Sequence, residues 1–139
     1  MRGITVALLA AFLALEACAF WGRRDASPAE MVKLPTSYAG VLPCGSCEGI
    51  GTELELRANG TWFLRSTYLG RGEGATHEAM GSFTLATDSN RLVLRGDREP
   101  PRVFRVVDAD TLRMLDLDGN EIGSTLNYEL RRGKILPTE

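Results

Sequence analysis

Thr52-Glu53-Leu54-Glu55-Leu56-Arg57, followed by Ala58-Asn59-Gly60 and then Thr61-Trp62-Phe63-Leu64, decides the fold of this chain. Apolar and charged residues alternate through the first run, so their side chains take opposite faces of one extended strand. Asn59-Gly60 supplies a tight turn, because both residues tolerate positive φ. Residues 61–69 return as the partner strand, with Trp62, Leu64 and Tyr68 on a common face. The result is an antiparallel hairpin with one face turned to a core.

The same pattern continues in both directions. Residues 38–42 form a strand upstream. Downstream, the glycine-rich stretch Gly70-Arg71-Gly72-Glu73-Gly74 leads to a strand over 77–85, and Asp88-Ser89-Asn90 makes the next turn. Residues 91–95 and 102–107 pair around 97–101, where Pro100-Pro101 keeps the connection out of the ladder. A strand over 111–115 runs into an Asp118-Gly119 turn, and 126–131 closes the series. About eight short strands with short connections define an all-β protein, and the expected architecture is a small up-and-down antiparallel barrel. A two-sheet β-sandwich is the alternative. Trp62, Phe63, Phe83, Phe104 and Tyr128 lie in the strands and are expected to fill the barrel.

With 139 residues and a formal net charge of -2, the chain holds one modest domain and no basic stripe, so nucleic acid is not an expected partner. One histidine, His77, no nucleophile elbow and no paired carboxylates leave hydrolase chemistry without support, and the chain is not expected to be an enzyme. The glycines at 70, 72 and 74 precede no helix N-terminus that would bind phosphate. In Asp116-Leu117-Asp118-Gly119-Asn120-Glu121 the glycine comes too early for an EF-hand, so a polar hairpin turn is expected.

The N-terminus is an export signal. Arg2 gives a positive start, and residues 4–15 form an uncharged apolar run, shorter than the roughly 20 residues a spanning helix needs. Leu15-Glu16-Ala17-Cys18 resembles a bacterial lipobox, which makes Cys18 the lipid-attachment residue. Each buried acyl methylene contributes about 0.8 kcal/mol, so several chains hold a protein firmly on its membrane. Ala19, where an aspartate would favour retention in the inner membrane, points by resemblance to the outer membrane. The expected organisation is a signal peptide over 1–17, a lipidated N-terminus and flexible tether over 18–36, a barrel over 37–133 and a tail over 134–139. Residues 26–30 read as the spacer in that tether.

Cys44 and Cys47 carry the chemistry. Gly45 and Ser46 suit a turn that brings both sulfurs to one side. Two convergent thiolates select soft ions, and Cu(I) is the expected ion if a metal binds. In an oxidising periplasm the same pair can close as a structural disulfide, and the two uses compete, because metal binding requires deprotonated thiols. The residues leave both open. A thioredoxin-like reading fails because no helix follows Cys44. His77 is expected on a strand surface away from the thiols. Met80 and Met114 are expected in the core, and Met31 is the one thioether able to approach Cys44 from a flexible stretch.

Tyr38-Ala39-Gly40-Val41-Leu42-Pro43-Cys44-Gly45-Ser46-Cys47-Glu48-Gly49-Ile50 resembles the opening signature of NlpE-type envelope lipoproteins, a copper-resistance and stress-signalling family. Thr52-Glu53-Leu54-Glu55-Leu56, Asn59-Gly60-Thr61 and Tyr68-Leu69-Gly70 match in order and spacing. Leu112-Arg113-Met114-Leu115-Asp116, Asp118-Gly119-Asn120 and Leu126-Asn127-Tyr128 resemble the end of that family's N-terminal domain. The resemblance spans 38–131. It implies a lipocalin-like barrel anchored to the periplasmic face of the outer membrane, with roles in copper resistance or in sensing envelope and redox stress. The partner it implies is an inner-membrane sensor kinase. Well-known members carry a second, OB-like domain, whereas this chain is expected to end after its barrel. The competing expectation is a lipocalin-like binding module, or an inhibitor of a periplasmic hydrolase such as lysozyme, with the cysteines bridged.

Overall fold

The computed structural model describes residues 25–71, 75–96 and 98–133. The expected signal peptide, the acylation residue Cys18 and the tail over 134–139 lie outside the described residues. Eight strands follow one another: β1 Thr36–Leu42, β2 Gly49–Leu56, β3 Thr61–Leu69, β4 Thr76–Ala86, β5 Arg91–Arg95, β6 Arg102–Asp108, β7 Thr111–Met114 and β8 Glu129–Arg132. Each pairs antiparallel with its neighbour, and β8 returns to β1 through Tyr38↔Arg132 and Ala39↔Arg131. That last pairing closes the barrel and decides against the sandwich.

The alternation in β2 sets the pleat. Thr52, Leu54 and Leu56 point inward and are buried, while Glu53 and Glu55 stay outside. Across the hairpin, Leu54 faces Leu64 and Leu56 faces Trp62. The turn is closed by Gly60 N–H donating to Arg57 O at 3.1 Å and Arg57 N–H donating to Thr61 O at 2.9 Å. Positive φ falls on Gly60 alone, at 85°, and Asn59 contributes through its side chain, which accepts from Thr61 N–H at 3.1 Å.

Inward side chains fill the barrel. Tyr38, Leu54, Leu92, Phe104, Leu112 and Leu130 are fully enclosed, as expected for an eight-stranded barrel whose lumen is only wide enough for its own side chains. Tyr38 keeps its one polar atom satisfied by donating to Ala109 O at 2.9 Å. Burial pushes its hydroxyl up to about 12, against a smaller opposing pull from Arg132.

Four expectations need correction. Phe63 is outside the barrel, where the guanidinium groups of Arg57 and Arg65 each lie 5.9 Å from its ring centre. Met80 also faces outward and is 66% exposed. The last strand begins at Glu129, not at 126: Leu126 is exposed, and the Asn127 side chain spends its hydrogen bonds on Val41 O and Glu129 N–H. The spacer expected over 26–30 is partly a built turn. Ser27 and Glu30 exchange reciprocal side-chain to backbone hydrogen bonds of 3.3 and 2.6 Å in a capping-box arrangement. That turn places Ala29, fully buried, against the end of the barrel.

Candidate thiol site at the barrel rim

The antiparallel register gives the barrel two distinct ends. One end carries the β2–β3 and β4–β5 hairpins and the turn around Ala29. The other carries the β1–β2 connection, residues 43–48, with both cysteines. Leu42 pairs with Ile50, so the strands hold the loop tightly at its base. Glu48 N–H donates to Leu69 O at 3.2 Å, which ties the loop to the end of β3.

Cys44 and Cys47 are joined as a disulfide, with Cα atoms 5.3 Å apart. Gly45 and Ser46 at the turn are exposed, and both cysteines are half-buried. The pair is therefore within reach of small reagents and ions from solvent. In the bridged form neither sulfur carries thiolate charge, so reduction must precede any metal ligation.

Arg71 was not legible as part of this loop. Its guanidinium donates to Ser46 Oγ at 2.5 Å and to Ser46 O at 3.5 Å, and it lies 6.0 Å from the Tyr68 ring centre. Tyr68 in turn meets His77 edge-on, with ring centres 5.4 Å apart. Sitting in a glycine-rich connection, Arg71 carries no pattern that would mark it in sequence. Its role appears only once β3 brings residues 68–71 beside 44–47.

The other sequence candidates separate from the thiols. His77 packs on Tyr68 in β4. Met31 lies with Glu30, Lys33, Asp110 and Arg132 at the opposite end of the barrel, so it does not swing toward Cys44. Met114 packs against the core. The Asp116 carboxylate is occupied by Asp118 N–H at 3.0 Å and Asn120 N–H at 2.8 Å, as the polar-turn reading requires. Glu121 is gripped by Arg105 and Arg113, and the hydrogen bond from Arg105 is the main reason its carboxyl lies below the usual range. Among the described residues no group of three or more His, Cys, Asp or Glu side chains is placed to hold a metal ion.

A closed eight-stranded barrel with a Cys-x-x-Cys loop at one rim defines a small lipocalin-like domain. The family model described as the NlpE N-terminal domain matches residues 38–125. Lipoprotein NlpE of Escherichia coli (strain K12) is 42% identical over 106 residues, covering 76% of this chain and 44% of that protein. The chain therefore spans less than half the length of this relative. The crystal structure of a candidate lipoprotein from Shewanella oneidensis superposes with a TM-score of 0.64 at 33% identity, covering 78% of this chain and 97% of that one. The crystal structure of the Cpx pathway activator NlpE from Escherichia coli gives 0.58 at 38% identity, over 68% and 48% of the two chains. The chain belongs to the NlpE N-terminal-domain family. Two of these relatives are described as lipoproteins, the kind of protein that the lipobox at residues 15–18 leads one to expect.

Proposed function

We propose that this barrel is a non-enzymatic copper- and redox-responsive module, held by an acyl group on Cys18 and acting through Cys44 and Cys47. The observation that supports it best is the presentation of the two sulfurs. They sit together at a half-buried rim loop, at the end of the barrel opposite the turn around Ala29. Reduction frees two adjacent thiolates, a ligand pair that suits low-coordinate Cu(I) better than calcium or magnesium, which prefer oxygen. Oxidation removes that capacity, so the same two residues report copper and thiol redox state together.

The route to a response runs through a partner, and an inner-membrane sensor kinase is the partner proposed. The carrier reading is less well supported, because the barrel interior is filled by side chains such as Tyr38 and Phe104. The inhibitor reading is favoured by the bridge itself, which would then be permanent.

Survival in copper separates the two. Cells whose only copy is Cys44→Ser, Cys47→Ser should lose the copper tolerance that the wild-type chain supplies, at equal protein level. Unchanged tolerance would favour the inhibitor reading. Cys18→Ser should abolish fatty-acid labelling, and equal labelling would remove the anchor assignment.

A further inference from the structure

The loop over 43–48 carries one charge of its own, on Glu48, and receives a second from the end of β3, on Arg71. The chain is shaped to deliver it. Gly70 turns at φ 78°, a conformation that side chains resist, and a Cβ there would lie 2.9 Å from the Glu48 side chain. The residues on either side of that turn hold the loop. Leu69 O accepts from Glu48 N–H at 3.2 Å, and the Arg71 guanidinium donates to Ser46 Oγ at 2.5 Å and to Ser46 O at 3.5 Å. Both of those acceptors are neutral, so neither cancels the charge. Ser46 is the residue before Cys47, and arginine keeps its proton at any physiological pH. A permanent positive charge therefore stands beside an accessible disulfide.

Reduction of that bridge is a reaction of anions. A thiolate attacks one sulfur, a new S–S bond forms to it, and the Cys44–Cys47 bond breaks as the other cysteine leaves as a thiolate. A second reductant thiolate then displaces the first cysteine. The pair gains two electrons and takes two protons from solvent, and the reductant departs as its own disulfide. Negative charge thus approaches and builds beside Ser46 in both steps.

We propose that Arg71 makes the Cys44–Cys47 bridge selective for anionic thiols as its reductants. The inference rests on the redox reading above and names the reactant class for it. Reactive disulfides and thiols are favoured by electropositive, partly exposed surroundings, and a guanidinium fork suits a carboxylate or sulfonate carried by the incoming thiol. Glu48 opposes the effect, with its carboxyl group lying over Gly70.

Three thiols of similar size and different charge test this: mercaptoethanesulfonate, mercaptoethanol and cysteamine. The oxidised full chain in neutral-detergent micelles is treated with each at low ionic strength and quenched with a maleimide. The doubly alkylated Cys44–Cys47 peptide is counted by mass spectrometry, and rates are compared per thiolate. Wild type should react fastest with mercaptoethanesulfonate and slowest with cysteamine. Arg71→Gln should lower the ratio of those two rates about tenfold, at roughly threefold per unit charge for charges about 7 Å apart in water. Arg71→Lys should keep most of the ratio, and Glu48→Gln should raise it. Salt at about 0.15 M should shrink it, as the Debye length falls to about 8 Å. If Arg71→Gln changed all three rates by one common factor, Arg71 would be a structural clasp and the proposal would be overturned. A wild-type chain with no preference among the three would overturn it equally. A bridge that none of the thiols opens would remove the redox reading itself, and the inference with it.

Discussion

Ala29 N–H donates to Asn90 Oδ1 at 3.1 Å, joining the segment before β1 to the β4–β5 turn. That contact fixes polarity. The chain enters at the end of the barrel that carries Asn90, and the Cys44–Cys47 loop lies at the other end. A barrel held from its N-terminal side thus presents its disulfide away from the point of attachment. The contact also gives residues 27–32 a structural role that a plain spacer would lack.

Asn90→Gly tests this docking. Glycine accepts the positive φ of 52° at that position, so the substitution removes the side-chain acceptor without imposing backbone strain. Loss of one such hydrogen bond should cost about 1 kcal/mol and expose the segment before β1 to protease. Unchanged unfolding midpoint and cleavage rate would show that the Ala29 contact does not hold the segment.

The β2–β3 turn makes a sharper demand. Gly60 adopts φ 85°, which a β-branched residue resists. Gly60→Val should lower stability by about 1–2 kcal/mol, read as a fall in the urea midpoint at constant slope. Open space around the position excludes a side-chain clash as the cause. A midpoint equal to wild type would contradict the turn geometry.

Much of this architecture was legible because strands announce themselves by period. Leu54, Leu56, Trp62 and Leu64 alternate with charged or outward residues, and the turns at Asn59-Gly60 and Ser89-Asn90 fall between runs. Individual faces were less legible. Phe63 reads as core by hydrophobicity, yet sits outside beneath two arginines, because a packed aromatic can be covered by cation contact as well as by burial. Tyr128-Glu129-Leu130 looks continuous with Leu126, but Asn127 bends the chain by bonding Val41 O. At the thiol site the spacing of Cys44 and Cys47 showed that they meet. It did not show whether they are bridged, since a turn serves both states, and Arg71 was hidden in a stretch chosen for turning.

Tyr38 predicts a pH dependence with a definite sign. Its folded-state value is raised to about 12 from an ordinary 10, so the neutral phenol is the form the fold prefers. The unfolded chain ionises first as pH rises. The stability Tyr38 supplies is therefore complete below pH 10 and is lost between about pH 10 and 12. Tyr38→Phe should cost about 1 kcal/mol at pH 8 through loss of the bond to Ala109 O, and the difference from wild type should shrink above pH 10 and change sign by about pH 11.5. A constant gap across that range, measured by urea unfolding, would contradict the assignment.

The central claim is that the reduced Cys44–Cys47 pair is a Cu(I) site, and one titration tests it most directly. The full chain in detergent micelles is reduced, freed of reductant without air, and titrated with Cu(I) against a colorimetric chelator. Two convergent thiolates predict about one ion per chain. Loss of binding is expected on oxidation and in Cys44→Ser, Cys47→Ser, with little effect from His77→Ala. Wild-type affinity in the double cysteine variant, or equal affinity in the oxidised protein, would place the copper elsewhere and contradict the account.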